Sequence, residues 1–225
     1  MEATKGYVSQ QNLLTPNDGS EWPVRLNRRA EIITPDPILQ FAMEGRVYEV
    51  SNPTKGTAVA AGGTSYSDTA PAFLVDVPVG TSIVPLEILL KQGGTVAGAV
   101  ITVLLTADNK LRYSSGGTAQ TVRNNRTDAP FSSACSAYSG ASAITAAAAG
   151  VARTFWASML SPDVSPTADV EFPGFSNCVE WSIRDKVPPV LVGPASLVIY
   201  AYAGTTQASW FYTIKWLELP SAAVV

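Results

Sequence analysis

The chain of 225 residues contains no histidine. Histidine is the side chain whose ordinary pKa suits acid and base catalysis near neutrality, so its absence excludes Ser-His-Asp and Cys-His catalytic arrangements. Histidine-ligated metal sites, such as those of cupin-type barrels, are excluded as well. We therefore predict that the protein is not an enzyme and that it binds no metal or other cofactor.

Charged residues are also scarce, at 15% of the chain against 46% apolar residues, and the net charge is -3. Direct binding to nucleic acid is not expected, because the neutralisation of phosphates supplies most non-specific affinity. Two groups of basic residues are predicted to be solvated loop charges. They are Lys110, Arg112, Arg123 and Arg126, and, nearer the N-terminus, Arg25, Arg28 and Arg29.

Only two cysteines are present, Cys135 and Cys178, and they form no CxxC motif. A zinc site therefore lacks its usual ligands. The two thiols would pair in an oxidising compartment, but the polar N-terminus has no secretory apolar region. Synthesis in the cytosol, with two buried or half-buried thiols, is the favoured interpretation.

No charged residue occurs between Lys186 and Lys215. A transmembrane helix is rejected, because "AGTTQAS" would lie near its middle and prolines interrupt the stretch before it. Two runs rich in β-forming residues remain, 196–203 and 208–219, joined by the turn-like residues 204–207. This pattern predicts a β-hairpin.

The two runs of the predicted hairpin differ in how many of their faces are apolar. In the second run the even positions are apolar and predict a core face: Ala208, Trp210, Tyr212, Ile214 and Trp216. The first run is apolar on both faces, as in a strand covered on two sides. Either a loop or a neighbouring subunit is expected to cover its second face.

Similar runs upstream bring the total to about nine candidate strands, a number typical of two-sheet sandwiches. We predict an all-β, two-sheet antiparallel sandwich of jelly-roll type over residues 41–225, preceded by an extended arm at 1–40. Helix is limited to a short stretch near 141–149. Long connections are predicted at 52–71, 116–152 and 161–177. The upstream runs are 46–51, 72–79, 82–92, 97–108, 110–115, 153–160 and 178–185.

Carboxylates are the remaining candidates for catalysis, because glycoside hydrolysis requires only two of them. Asp169 and Glu171 would point to one side of an extended stretch, while Glu180 and Asp185 flank Trp181, a side chain on which sugars stack. Surface carboxylates without a catalytic role explain the same residues, and this interpretation is preferred.

We expect neither a calcium site nor a phosphate-binding loop. Asp163 together with Asp169 and Glu171 offers oxygen ligands for calcium, but their spacing matches no calcium loop. The glycine-rich segment 92–100 lacks the lysine of a phosphate-binding loop and runs into β-branched residues, so a hairpin turn is predicted there.

From about residue 45 onward the chain has one layout. Charge-poor strands in "FLVDVPVGTSIVPLEILLKQGGTVAGAVITVLLTAD" (73–108) are followed by loops rich in Ser, Ala and Gly, and the chain closes with "GPASLVIYAYAGTTQASWFYTIKWLELP" (193–220). This layout resembles the single jelly-roll coat proteins of icosahedral viruses, including bacteriophages. The arm departs from many of them, because its few basic residues are balanced by acidic ones.

The resemblance implies a capsid protein of the virion that self-assembles into a homo-oligomer, has no cofactor, and contacts other virion proteins. Because the arm is not strongly basic, the shell is expected to be filled without direct condensation of the genome by the arm, or to lie over a lipid layer. The alternative is a lectin-like or receptor-binding sandwich of a phage spike or surface protein, which exposed Trp22, Trp156 or Trp181 would support. A carboxylate-dependent glycoside hydrolase is the third hypothesis.

Overall fold

The structure is a computed structural model, and it describes residues 36–93, 100–160, 178–204 and 206–224. The chain divides into two units, Met1–Gln40 and Phe41–Val225. Every strand described below belongs to the second unit. The catalytic and calcium candidates at 161–177, and the arm up to residue 35, lie outside the described residues.

The described residues form one α-helix, thirteen strands and a final 3-10 turn at Ser221–Ala223. The helix α1 spans Pro37–Met43. The strands are β1 (Val47–Ser51), β2 (Val59–Ala60), β3 (Phe73–Val77), β4 (Thr81–Gln92), β5 (Ile101–Asp108), β6 (Tyr113–Gln120), β7 (Arg123–Asn124), β8 (Ser136–Ala146), β9 (Arg153–Leu160), β10 (Cys178–Ser182), β11 (Leu191–Val192), β12 (Ala195–Ala203) and β13 (Ser209–Pro220).

Two antiparallel sheets pack against each other. The seven-stranded sheet has the order β10-β4-β13-β1-β7, with β11 and β2 as short additions, and the six-stranded sheet has the order β6-β8-β3-β12-β5-β9. Each sheet contains four main strands. Their orders are β10-β4-β13-β1 in the seven-stranded sheet and β3-β12-β5-β9 in the six-stranded sheet. The chain thus crosses repeatedly between the sheets, as in a jelly roll. The predicted fold class is confirmed.

The core lies between the sheets and is rich in aromatic side chains. Trp181, Trp210 and Trp216 are fully buried there. In β13 the even positions from Trp210 to Trp216 point inward, while the odd positions stay half-buried. The predicted core face of this strand is confirmed, because alternate side chains of a strand point to opposite faces.

The predicted hairpin of the last two long strands is wrong. β12 pairs with β3 and β5 in the six-stranded sheet, whereas β13 pairs with β4 and β1 in the other sheet. The apolar faces of β12 and β13 both belong to the single core cluster between the sheets. Stacking face to face buries both of these faces, which edge-to-edge pairing would not do.

The predicted helix near 141–149 and the unstructured connection at 116–152 are also wrong. β8 covers most of the alanine-rich stretch and pairs with both β3 and β6. β6 begins later than the predicted strand at 110–115 and continues through Gly116 and Gly117, whose φ angles of 77° and 62° accompany irregular pairing with β8. Pairing on two sides overrides the helix propensity of alanine.

Candidate interaction surfaces

The side chain of Arg112, expected in solvent, is fully buried. Its guanidinium donates to the carbonyl oxygens of Asp68 and Ala147 and to the Tyr200 hydroxyl at 3.0 Å. It also forms ion pairs with Asp68 at 3.3 Å and Asp108 at 3.5 Å. Burial of a cation is tolerable here because carboxylates and hydrogen-bond acceptors surround it.

The backbone at Arg112 is tied to the same place. Its N–H donates to Asp76 and to the Ser196 hydroxyl, and the N–H of Tyr113 donates to the other oxygen of Asp76. Asp108 in turn accepts from the N–H of Gly150. These bonds fasten both ends of the insertion between β5 and β9 to the sheet. No motif marks this cluster, because its members come from distant parts of the chain.

Residues 61–71, here called the strap, run beside the end of β12 at Gly63 and then over its outer face at Tyr66. Gly63 exchanges backbone hydrogen bonds with Ala201 and Ala203, and the Tyr66 ring lies 5.3 Å from the Tyr200 ring. A Cβ on Gly62 would lie 1.9 Å from the Ala201 oxygen, so only glycine allows this approach. A loop of the same chain, and not another subunit, therefore covers this part of β12.

Trp181 and its flanking carboxylates do not form a sugar site. Trp181 is buried and packs edge-on against Phe155 at 5.6 Å. Glu180 is exposed and lies on the opposite face of β10, and Asp185 is exposed in the loop that follows. Trp156 is half-buried, with the Lys186 ammonium 5.7 Å from its ring. Neither Trp156 nor Trp181 is exposed.

Both thiols are free, as predicted, with Cys135 buried and Cys178 half-buried. Burial, and secondarily the neighbouring Glu218, raises the pKa of the Cys135 thiol, which keeps it protonated. Glu218 accepts hydrogen bonds from the Ser133 hydroxyl at 2.6 Å and from the N–H of Ala134 at 2.8 Å. These bonds attach the loop before β8 to β13.

An apolar surface, here called the valine end, lies where β3 ends and β4 begins. Pairing of Ala195 with Val77, of Val192 with Ser82 and of Ala107 with Arg153 brings the neighbouring turns to this end of the sandwich. Five valines in these turns and in the loop that leads into β11 are exposed, by 45% to 93%. They are Val79, Val151, Val187, Val190 and Val192.

The second candidate surface is concave and is formed by residues 119–138. It is an open depression of about 700 Å³ lined by hydroxyl and amide side chains, two arginines and Phe131, with no carboxylate among its lining residues. Asn124 shapes it by donating to the Gly45 and Phe131 carbonyls, and Arg126 is held by Asp128 and the Met43 carbonyl.

Across the described ranges, no group of three or more His, Cys, Asp or Glu side chains is placed to hold a metal ion. None of the helices in the described part of the chain is long and apolar enough to span a membrane.

The fold and these surfaces define a jelly-roll domain with an apolar end. No protein-family model, curated protein or solved structure matches the chain.

Proposed function

We propose that the protein is a viral structural protein, a capsid subunit that self-assembles through its jelly-roll surfaces and loops. The jelly roll is an architecture that capsid subunits share with lectins and cupins, so topology alone does not select among them. The valine end is the observation that carries the proposal. Three of its five exposed valines, Val151, Val190 and Val192, line one depression, in a chain that has few charges.

Exposed apolar side chains of this kind favour association. Burying a valine side chain fully contributes on the order of 1.5 kcal/mol or more, and contiguous apolar patches mark interaction sites. Copies of a chain with a net charge of only -3 repel one another weakly. We therefore assign the valine end to contacts with neighbouring copies or with other virion proteins.

The same proposal places the protein in the virion after synthesis in the host cytoplasm. Contact with an underlying lipid layer remains part of the proposal, whereas direct nucleic-acid binding does not. The weak net charge supports this choice, because condensing a genome requires many basic side chains.

Light scattering after size exclusion, together with negative-stain imaging, tests the proposal. We expect oligomers or closed particles for the natural chain and a shift toward monomer in Val151→Asp and Val192→Asp, because both valines line one depression and each change places a charge in the apolar contact. Met159→Asp is the matched control, since Met159 is exposed and lies at the opposite end of β9 from Arg153. A natural chain that stays monomeric at high concentration would contradict the proposal.

The depression at 119–138 favours a second candidate function, recognition of a carbohydrate by a lectin-like module. Hydroxyl and amide side chains beside an aromatic ring are the groups that fix polar ligands in a pocket. A glycan array probed with the natural chain and with Phe131→Ala tests it. Binding that is lost in the variant supports this candidate, and an array without signal removes it.

A further inference from the structure

Four charged residues of alternating sign lie side by side across the seven-stranded sheet. Arg123 on β7 is directly opposite Glu49 on β1, Glu49 is opposite Lys215 on β13, and Lys215 is opposite Glu87 on β4. Neighbouring strands are about 4.8 Å apart, so the four side chains form an evenly spaced line. We call this line the charge row.

The charge row lies on the outer face of the sheet. The residues beside its members along the strands, such as Tyr48, Ile214 and Ile88, are buried in the core between the sheets, and alternate side chains point to opposite faces. The Lys215 and Glu87 side chains remain 32% and 34% exposed although they form an ion pair at 2.6 Å. Arg123 is exposed and has no ion pair among the described residues.

We infer that this face binds the same face of a second copy through a twofold axis that runs along the strands between β1 and β13. Such an axis reverses the order of the row. Glu49 then faces Lys215 of the second copy, and Arg123 faces Glu87 of the second copy. A twofold axis makes each contact occur twice, which requires a self-complementary surface, and the alternating row is self-complementary.

Two further features favour a second copy of the chain as the partner of this face. The row contains two positive and two negative side chains, so closing the contact opposes no uncompensated charge. Phe211 and Leu89 lie half-buried on the same face and add apolar area beside the row. The remaining charged residues of the face, Lys91 and Glu180, lie toward β4 and β10, where the axis places no like charge of the second copy against them.

A charge-swap experiment tests the inference, which rests on the self-association proposed above. Lys215→Glu alone places glutamate against Glu49 of the second copy, and Glu49→Lys alone places lysine against Lys215. We expect each variant to self-associate at least about tenfold more weakly than the natural chain, since a change of about 1.4 kcal/mol is tenfold. Mixed in equal amounts, the two variants restore both opposite-charge contacts, and association should return to within about threefold of the natural chain.

Sedimentation equilibrium with one variant fluorescently labelled measures the mixed species directly. Arg123→Glu mixed with Glu87→Lys repeats the logic at the outer contacts, in case one of the first variants fails to fold, as judged by circular dichroism. Lys55→Glu, an exposed charge reversal in the loop after β1, is the matched control and should leave association unchanged.

The outcomes separate the two proposals. If the natural chain does not associate at all, the proposed function fails together with this contact. If it associates and the folded single variants associate equally well, or if the mixtures do not recover, the charge row serves only pairing within one subunit. Only the twofold contact is then overturned.

Discussion

The outer faces of the two sheets differ in polarity and in how they are covered. On the six-stranded sheet, the outer face of β12 is apolar and carries the strap, Tyr66 and the buried Arg112. On the seven-stranded sheet, the outer face carries the half-exposed charge row and no comparable cover among the described residues. Among the described residues, one face is covered by other parts of the chain and the other is not.

The difference shows how an apolar outer strand is satisfied without a second subunit. Covering β12 places polar backbone and Arg112 next to apolar side chains, so each buried polar group needs its own partner. The ion pairs and hydrogen bonds of Arg112 meet that need. A charged outer face needs no such arrangement, because water solvates it.

Replacing Arg112 with methionine tests the closed face and should have the largest effect. It leaves Asp108 buried without its cation, and breaking a buried ion pair in this way costs about 3–5 kcal/mol. Urea denaturation at equilibrium measures the change. Lys55→Met, at an exposed position in the loop after β1, is the matched control and should change the free energy of unfolding by no more than about 0.5 kcal/mol. Equal losses in both variants would show that Arg112 is not a structural centre.

Tyr200→Phe should have an intermediate effect on the same face. It removes the hydroxyl that donates to the Asp68 carbonyl at 2.8 Å and accepts from Arg112, at a cost of about 1–2 kcal/mol. Tyr202→Phe, in the same strand but half-buried, is its control.

The free energy of unfolding at alkaline pH provides a further test of Tyr200. Burial raises the pKa of this phenol above its ordinary value of 10.0, so above about pH 10 the unfolded chain releases a proton that the folded chain retains. The contribution of the neutral Tyr200 phenol to the free energy of unfolding is therefore complete below pH 10. It declines as pH rises, by up to about 1.4 kcal/mol per pH unit for each such group. The free energy of unfolding should fall less steeply with pH in Tyr200→Phe. Identical slopes would show that the phenol titrates normally.

Lys215→Ala on the open face should have the smallest effect on the stability of one subunit. The ion pair with Glu87 is about one-third exposed on both sides, and such surface pairs contribute up to about 1 kcal/mol. Thermal unfolding in low salt and in about 1 M salt measures it, since salt screens exposed pairs. A loss as large as that of Arg112→Met would remove the contrast between the faces.

The sequence predicted the strands well wherever local pattern decides. β9 occupies residues 153–160 as predicted, and β4 begins one residue before the predicted run at 82–92. The core face of β13 follows from strict alternation. These features depend on neighbours within the same segment, which is why a single sequence reveals them.

The errors concern the pairing of segments. Residues 204–207 look like a hairpin turn, yet the strands before and after them belong to different sheets. The alanines of β8 are strand residues because β3 and β6 lie on both sides of them. Of the candidate interaction surfaces, none was predicted, because the exposed valines are isolated in sequence and the charge row comes from four separate strands.

The amino-acid sequence by itself determined the all-β class, the inward and outward faces of the long strands, and the lack of imidazole chemistry. All of these depend on composition or on a period of two residues. Only the tertiary structure decided which strands became neighbours, that Arg112 is buried, and that valines and alternating charges gather on shared surfaces. Those outcomes depend on contacts between residues far apart in the chain, whose energies no local pattern records.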